Sequence, residues 1–140
     1  TSTGWDTPLA MGFFKSLPSV QSKYKTQFYD QLKEMNEVFA LQRLYESRNE
    51  WDKAMKVATD QKNLLMWRTS YNRVNRKIQQ INRQIRLIEA DNKLSNAEII
   101  DKVRQLNVLK NDMIRALIEQ VLDYEKRTGE RVKRERWFTL

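Results

Sequence analysis

Three observations predict an all-α fold. The 140-residue chain has only three Gly and two Pro, and beyond Pro18 roughly 120 residues carry no strong helix breaker except Gly129. Apolar residues recur at steps of three and four over long stretches. The segment INRQIRLIEADNKLSNAEIID shows one helix stopping and another starting within a few residues. A β-rich fold needs turn residues, and they are missing. The expected architecture is an elongated bundle of three long helices, over about 19–47, 49–90 and 96–127. The last two form an antiparallel, coiled-coil-like hairpin. Residues 1–18 form an irregular N-terminal arm and residues 128–140 a basic and aromatic tail.

The arm, TSTGWDTPLAMGFFKSLP, holds both prolines and two of the three glycines and has no long period. It offers Trp5, Leu9, Phe13 and Phe14 for docking on the helices that follow, or it links to a further domain. The chain starts without an initiating Met, so it is expected to be a processed product or a piece of a longer polypeptide. Ser19 can cap the first helix, whose apolar positions are Val20, Tyr24, Phe28, Leu32, Met35 and Phe39. That helix is expected to end near Ser47, which stands three residues before Glu50, the spacing of a capping box.

The second helix is expected from about Asn49, with Trp51, Ala54, Met55, Ala58 and Leu65 on its apolar side. From Leu64 the pattern is strict: Leu64, Trp67, Tyr71, Val74, Ile78, Ile81, Ile85 and Ile88 alternate steps of three and four. A period of 3.5 residues held this long is a coiled-coil or long-hairpin seam. RTSYN at 68–72 is poor in helix formers, so a break there is one alternative to a continuous helix.

Asp91 and Asn92 then turn the chain. Ser95 can accept from the Glu98 backbone N–H while the Glu98 carboxylate accepts from that of Ser95, and Leu94 with Ile99 takes the staple positions. The third helix shows Ile99, Val103, Leu106, Leu109, Met113, Leu117 and Val121, widened by Ile100, Ile114, Ile118 and Leu122. So broad a stripe should meet two neighbours, the preceding helix and the first. Lys126 and Arg127 suit the negative helix end, and Gly129 suits the left-handed residue after it. The tail ERVKRERWFTL is a short helix, a strand or an ordered segment.

Composition excludes much chemistry. Without Cys or His there is no thiol nucleophile, no disulfide, none of the usual zinc or haem ligands, and no side chain that ordinarily titrates near neutral pH. No apolar run approaches the roughly 18 residues of a membrane span. No catalytic, cofactor-binding or metal-binding residue is expected. Carboxylate pairs such as Glu34 with Glu37, or Glu98 with Asp101, read as surface charges.

The net charge of +8 is unevenly placed: between Asp60 and Glu89 there is no acid, but Lys62, Arg68, Arg73, Arg76, Lys77, Arg83 and Arg86 are basic. On a 3.5-residue wheel Lys62, Arg76 and Arg83 lie opposite the seam, with Arg73 and Arg86 roughly 50° to either side. These five are the candidate contacts for nucleic acid or an anionic surface. A plain solvated face is the other reading. RVKRERWF in the tail mixes bases and aromatics as single-strand binders do, although acids interleave it and a docked tail fits it better.

The pattern resembles the helical module of very long bacteriophage polypeptides, namely internal virion or ejection proteins and related large polyvalent proteins. The resemblance rests on PLAMGFFKSLPS, on FYDQLKEM from Phe28, and on INRQIRLIEADNKLSNAEIIDKVRQLNVLKNDM, over about residues 8–122. Ile99 departs from the Lys that such members carry just after the capping Glu. The resemblance implies a non-enzymatic structural segment, packaged in the virion and delivered with the genome. Its implied partners are other parts of a longer polypeptide, other virion proteins or further copies of itself. A helical nucleic-acid-binding module using the basic face of residues 62–86 is the alternative.

Overall fold

The computed structural model describes residues 18–134, with side chains from Ser22 onward. It has four α-helices: α1 (Pro18–Ser47), α2 (Trp51–Asp60), α3 (Lys62–Glu89) and α4 (Asn96–Thr128). Among the described residues there is no strand. The arm with Trp5, Leu9, Phe13 and Phe14, and Trp137 and Phe138 of the tail, lie outside the described residues.

Helix directions follow from paired side chains. Tyr124 Oη donates to Asn63 Oδ1 at 2.7 Å near one end of the α3–α4 pair, and Lys110 Nζ donates to Asn82 Oδ1 at 2.7 Å further along, so the two helices run antiparallel. Phe28 stacks on Tyr71 with ring centroids 5.3 Å apart, and the Arg68 guanidinium lies 3.7 Å from the Phe39 ring centroid. Rising numbers on α1 therefore meet falling numbers on α3, and α1 runs parallel to α4. Both α1 and α3 pack against α4, as the broad α4 stripe requires.

The core lies where these three helices meet. Phe28, Met35 and Val38 of α1, Leu64 and Tyr71 of α3, and Ile118 and Val121 of α4 are fully buried. Burial of each large apolar side chain contributes about 1.5–3 kcal/mol. On α1 the stripe turns from Met35 to Val38, leaving Phe39 half-buried beneath Arg68. One polar chain crosses the core: Tyr71 Oη donates to Gln31 Oε1 at 2.5 Å, and Gln31 Nε2 donates to the Val132 carbonyl at 3.0 Å. Both ends of this buried amide are thereby satisfied. Burial, and then the nearby Glu125 carboxylate, hold the Tyr71 phenol above its usual range, so it remains a donor.

The expected helix over 49–90 is two helices. Ser47 does not cap the first of them: its hydroxyl donates back to the Leu44 carbonyl at 2.7 Å and stays in the last turn of α1. Asn49 then takes φ 59°, a left-handed conformation that Asn tolerates better than most residues. Glu50 precedes α2 without a side-chain cap. Trp51 and Met55, expected on the apolar side, are 59% and 70% exposed, whereas Ala54, expected there too, is buried together with Val57.

The break falls at Gln61, while α3 runs without interruption through 68–72. Asp60, one heptad upstream of Trp67, stands where the Trp67–Val74–Ile81 row of the seam would continue, and its Oδ2 is buried at the break. At the break Gln61 turns inward, 2% exposed, and Asp60 meets Lys56 Nζ at 3.0 Å. At the other end Gly129, at φ 74°, stops α4. Val132 then tucks into the core, its N–H held by Glu125 Oε2 at 2.8 Å.

Candidate functional site

Burial stops at Ile81 on α3 and resumes at Ile114 on α4; from Asn82 to Met113 no residue is buried. The apolar period continues regardless. Ile85, Ile88, Ile99, Val103, Leu106 and Leu109 are half-buried in a pair that no third described helix completes. The outer hairpin is thus a two-helix arm extending from a body to which all four helices contribute. Leu87 and Ile100 are 72% and 64% exposed on it. Leu87, Ile88, Leu106 and Leu109 line one groove of about 440 Å³, edged by Gln84, Lys102 and Gln105. Ile99, Ile100, Val103 and Val108 line a second groove of about 440 Å³, edged by Glu89 and Arg104. The two sets of α4 residues centre on opposite sides of the helix at 100° per residue.

The arm is stiffened at its tip. Asp91 Oδ1 accepts from the Lys93 N–H at 2.8 Å, Ser95 Oγ accepts from the Glu98 N–H at 3.1 Å, and Glu98 Oε1 accepts from the Ser95 N–H at 2.9 Å. The capping box is therefore complete, and Leu94 and Ile99 at the staple positions are both half-buried. Ser95→Ala is expected to cost about 1 kcal/mol in urea unfolding. The two hydrogen bonds shared with Ser95, that to its backbone N–H first, hold the Glu98 carboxyl below its usual range. Its contribution is complete above the ordinary carboxylate range and fades as pH falls through the lowered value. Glu98→Gln should remove that part of the acid sensitivity; an unchanged pH profile would count against the box.

The structure leaves most of the predicted basic ridge free. Arg73, Arg76, Lys77, Arg83 and Arg86 are exposed, and among the described residues none has an acidic partner. Thirteen residues of rise set Arg73 and Arg86 about 20 Å apart along α3. Lys62 is separated from this group: its Nζ lies 3.6 Å from Glu130, a partner from beyond α4 that spacing on α3 does not reveal. Arg68 is held inward, donating to Asn36 Oδ1 at 3.0 Å above the Phe39 ring.

Two of the tail's cations are paired as well. Arg131 lies 3.6 Å from Glu125, and Arg134 lies 3.8 Å from Glu34 and 3.5 Å from Glu37. Those two carboxylates are thus ion-pair partners across the body, and Asp101 pairs with Arg104 at 3.0 Å. Among the described residues no group of three or more potential ligands is placed to hold a metal ion, and no helix is long and apolar enough to cross a membrane.

No family model, curated protein or solved structure matches this chain. The site therefore rests on its own geometry, a ridge of unpaired cations running onto an arm with two open apolar grooves. Sequence periodicity points to the ridge but misses the exposure of Leu87 and Ile100. Leu87 stands outside the alternating row between Ile85 and Ile88, which is the signal that marks it.

Proposed function

We propose that this chain is a non-catalytic helical packing module whose arm docks against helices of an assembly through the Leu87–Leu109 groove. The observation that carries it is the 72% exposure of Leu87 on a stiff, capped hairpin whose outer half lies beyond the body's core. Leaving such a groove in water forgoes the stabilisation that apolar burial supplies, and exposed grooves of this kind mark interaction surfaces. The resemblance to bacteriophage internal virion modules supports placing the assembly inside a virion, as one segment of an ejection protein that enters the host with the genome. Further copies of the chain and neighbouring virion proteins are the partners.

Association should grow with concentration in sedimentation velocity. Leu87→Asp with Leu109→Asp should weaken it by at least about tenfold without lowering helicity. A chain monomeric at every concentration and absent from purified DNA-filled phage particles contradicts the proposal. A second reading is favoured by the unpaired ridge: Arg73, Arg76, Arg83 and Arg86 follow the phosphates of nucleic acid packed beside the module.

A further inference from the structure

We propose that the occupant of the Leu87–Leu109 groove is a second copy of this chain, lying antiparallel so that the tip of each arm rests on the α3 shaft of the other. This rests on the reading of that groove as a docking surface and names its partner. Charge is segregated along the arm. Residues 73–86 carry five bases and no acid, whereas residues 89–101 at the tip carry Glu89, Asp91, Glu98 and Asp101 against one base, Lys93. Two arms laid tip to tip set acid beside acid. Reversed arms set each acidic tip on a basic shaft, and complementary charge of this kind fixes orientation.

Spacing places the two-fold axis. Lys77 and Asp91 each stand seven residues from Gln84, which edges the groove. Seven residues are close to two turns, so the three share one line along α3 at intervals of about 10 Å. Asp91 lies just past the helix, but its N–H still bonds the Ile88 carbonyl at 3.1 Å, so the chain keeps winding to that point. An axis crossing at Gln84 brings Lys77 of each copy opposite Asp91 of the other. All three residues are exposed, and among the described residues neither Lys77 nor Asp91 has an ion-pair partner. Leu106 and Leu109 share the groove with Gln84, so the same axis sets apolar side chains between the two charge pairs.

This side of the hairpin is open along its length. Arg68 precedes Lys77 by nine residues, two and a half turns, and so stands on the opposite side of α3. Arg68 and Asn72 donate to Asn36 Oδ1 at 3.0 and 3.2 Å, which places α1 on that far side. On the near side Gln80 of α3 and Gln105, Ala116 and Gln120 of α4 are exposed together with Lys77 and Gln84. A second arm can therefore run from the groove onto the body without meeting α1.

Sedimentation velocity of charge-exchange variants of the full chain tests the pairing. Lys77→Glu alone, and Asp91→Lys alone, set like charges in both contacts and should each weaken self-association about tenfold. Mixed in equal amounts, the two variants restore opposite charges in both contacts and should associate about as tightly as the unaltered chain. Any effect of Asp91→Lys on the turn persists in the mixture, so recovery there reports the contact alone. The chain has no Cys, so Asn92→Cys carries a single nitroxide at the tip. Its distance to the nitroxide of the second copy is expected near about 25 Å, twice the rise from the axis. Association that Leu87→Asp with Leu109→Asp abolishes, but with no recovery in the mixture or with nitroxides within about 15 Å, overturns the antiparallel pair and leaves the groove reading in place. Self-association untouched by Leu87→Asp with Leu109→Asp overturns the groove reading with it. A chain that never self-associates overturns the pair even where the groove holds another virion protein.

Discussion

Phe28→Ala is expected to remove about 3–5 kcal/mol of stability in urea unfolding, a large part of what a domain of this size possesses. Phe28 is fully buried and stacks on Tyr71 with an interplanar angle of 10°. Its loss opens a cavity beside the Tyr71–Gln31–Val132 chain, where neighbours bound to one another cannot collapse freely. Leu87→Ala truncates another large apolar side chain at 72% exposure and should stay within about 0.5 kcal/mol. A cost below about 1 kcal/mol for Phe28→Ala would contradict the placement of the core at this three-helix junction.

The second large effect belongs to the ridge. Four or five unpaired cations on phosphates release as many counterions, so affinity for duplex DNA should fall on the order of 10²-fold or more between 50 and 200 mM salt. Arg76→Glu with Arg83→Glu removes the two central positions and adds repulsion, and should lower affinity at least as far while flattening the salt slope. Lys62→Glu should do less, because Lys62 already faces Glu130 at 3.6 Å. DNA binding that is unchanged by the double variant, or absent at low salt, removes the nucleic-acid reading.

Helix class was legible because few breakers interrupt strong periodicity, and the turn at Asp91–Ser95 was legible because its hydrogen bonds join residues within three positions of one another. The number of helices was not. Asp60 looks like one more surface acid until the seam is extended upstream, and the inward turn of Gln61, 2% exposed, leaves no mark in the local pattern. Long-range partners were equally hidden. Glu130 takes Lys62, and Arg134 reaches Glu34 and Glu37, across separations that no local period encodes. The exposure of the arm among the described residues depends on how α1, α3 and α4 are placed along one another, a matter of helix register. Periodicity says which side of a helix is apolar, and only the placement of the other helices says how much of that side is covered.

The packing function of the arm is tested most directly by hydrogen exchange of the full chain, read separately over residues 82–113 and over the body at 64–81 and 114–121. At low concentration the arm amides are expected to exchange faster than those of the body, since local opening there exposes little that was buried. As association sets in, arm protection should rise toward that of the body, and it should not rise in the variant with Leu87→Asp and Leu109→Asp. An arm as protected as the body at the lowest concentration, and unchanged by either association or the variant, would contradict its role as a docking surface.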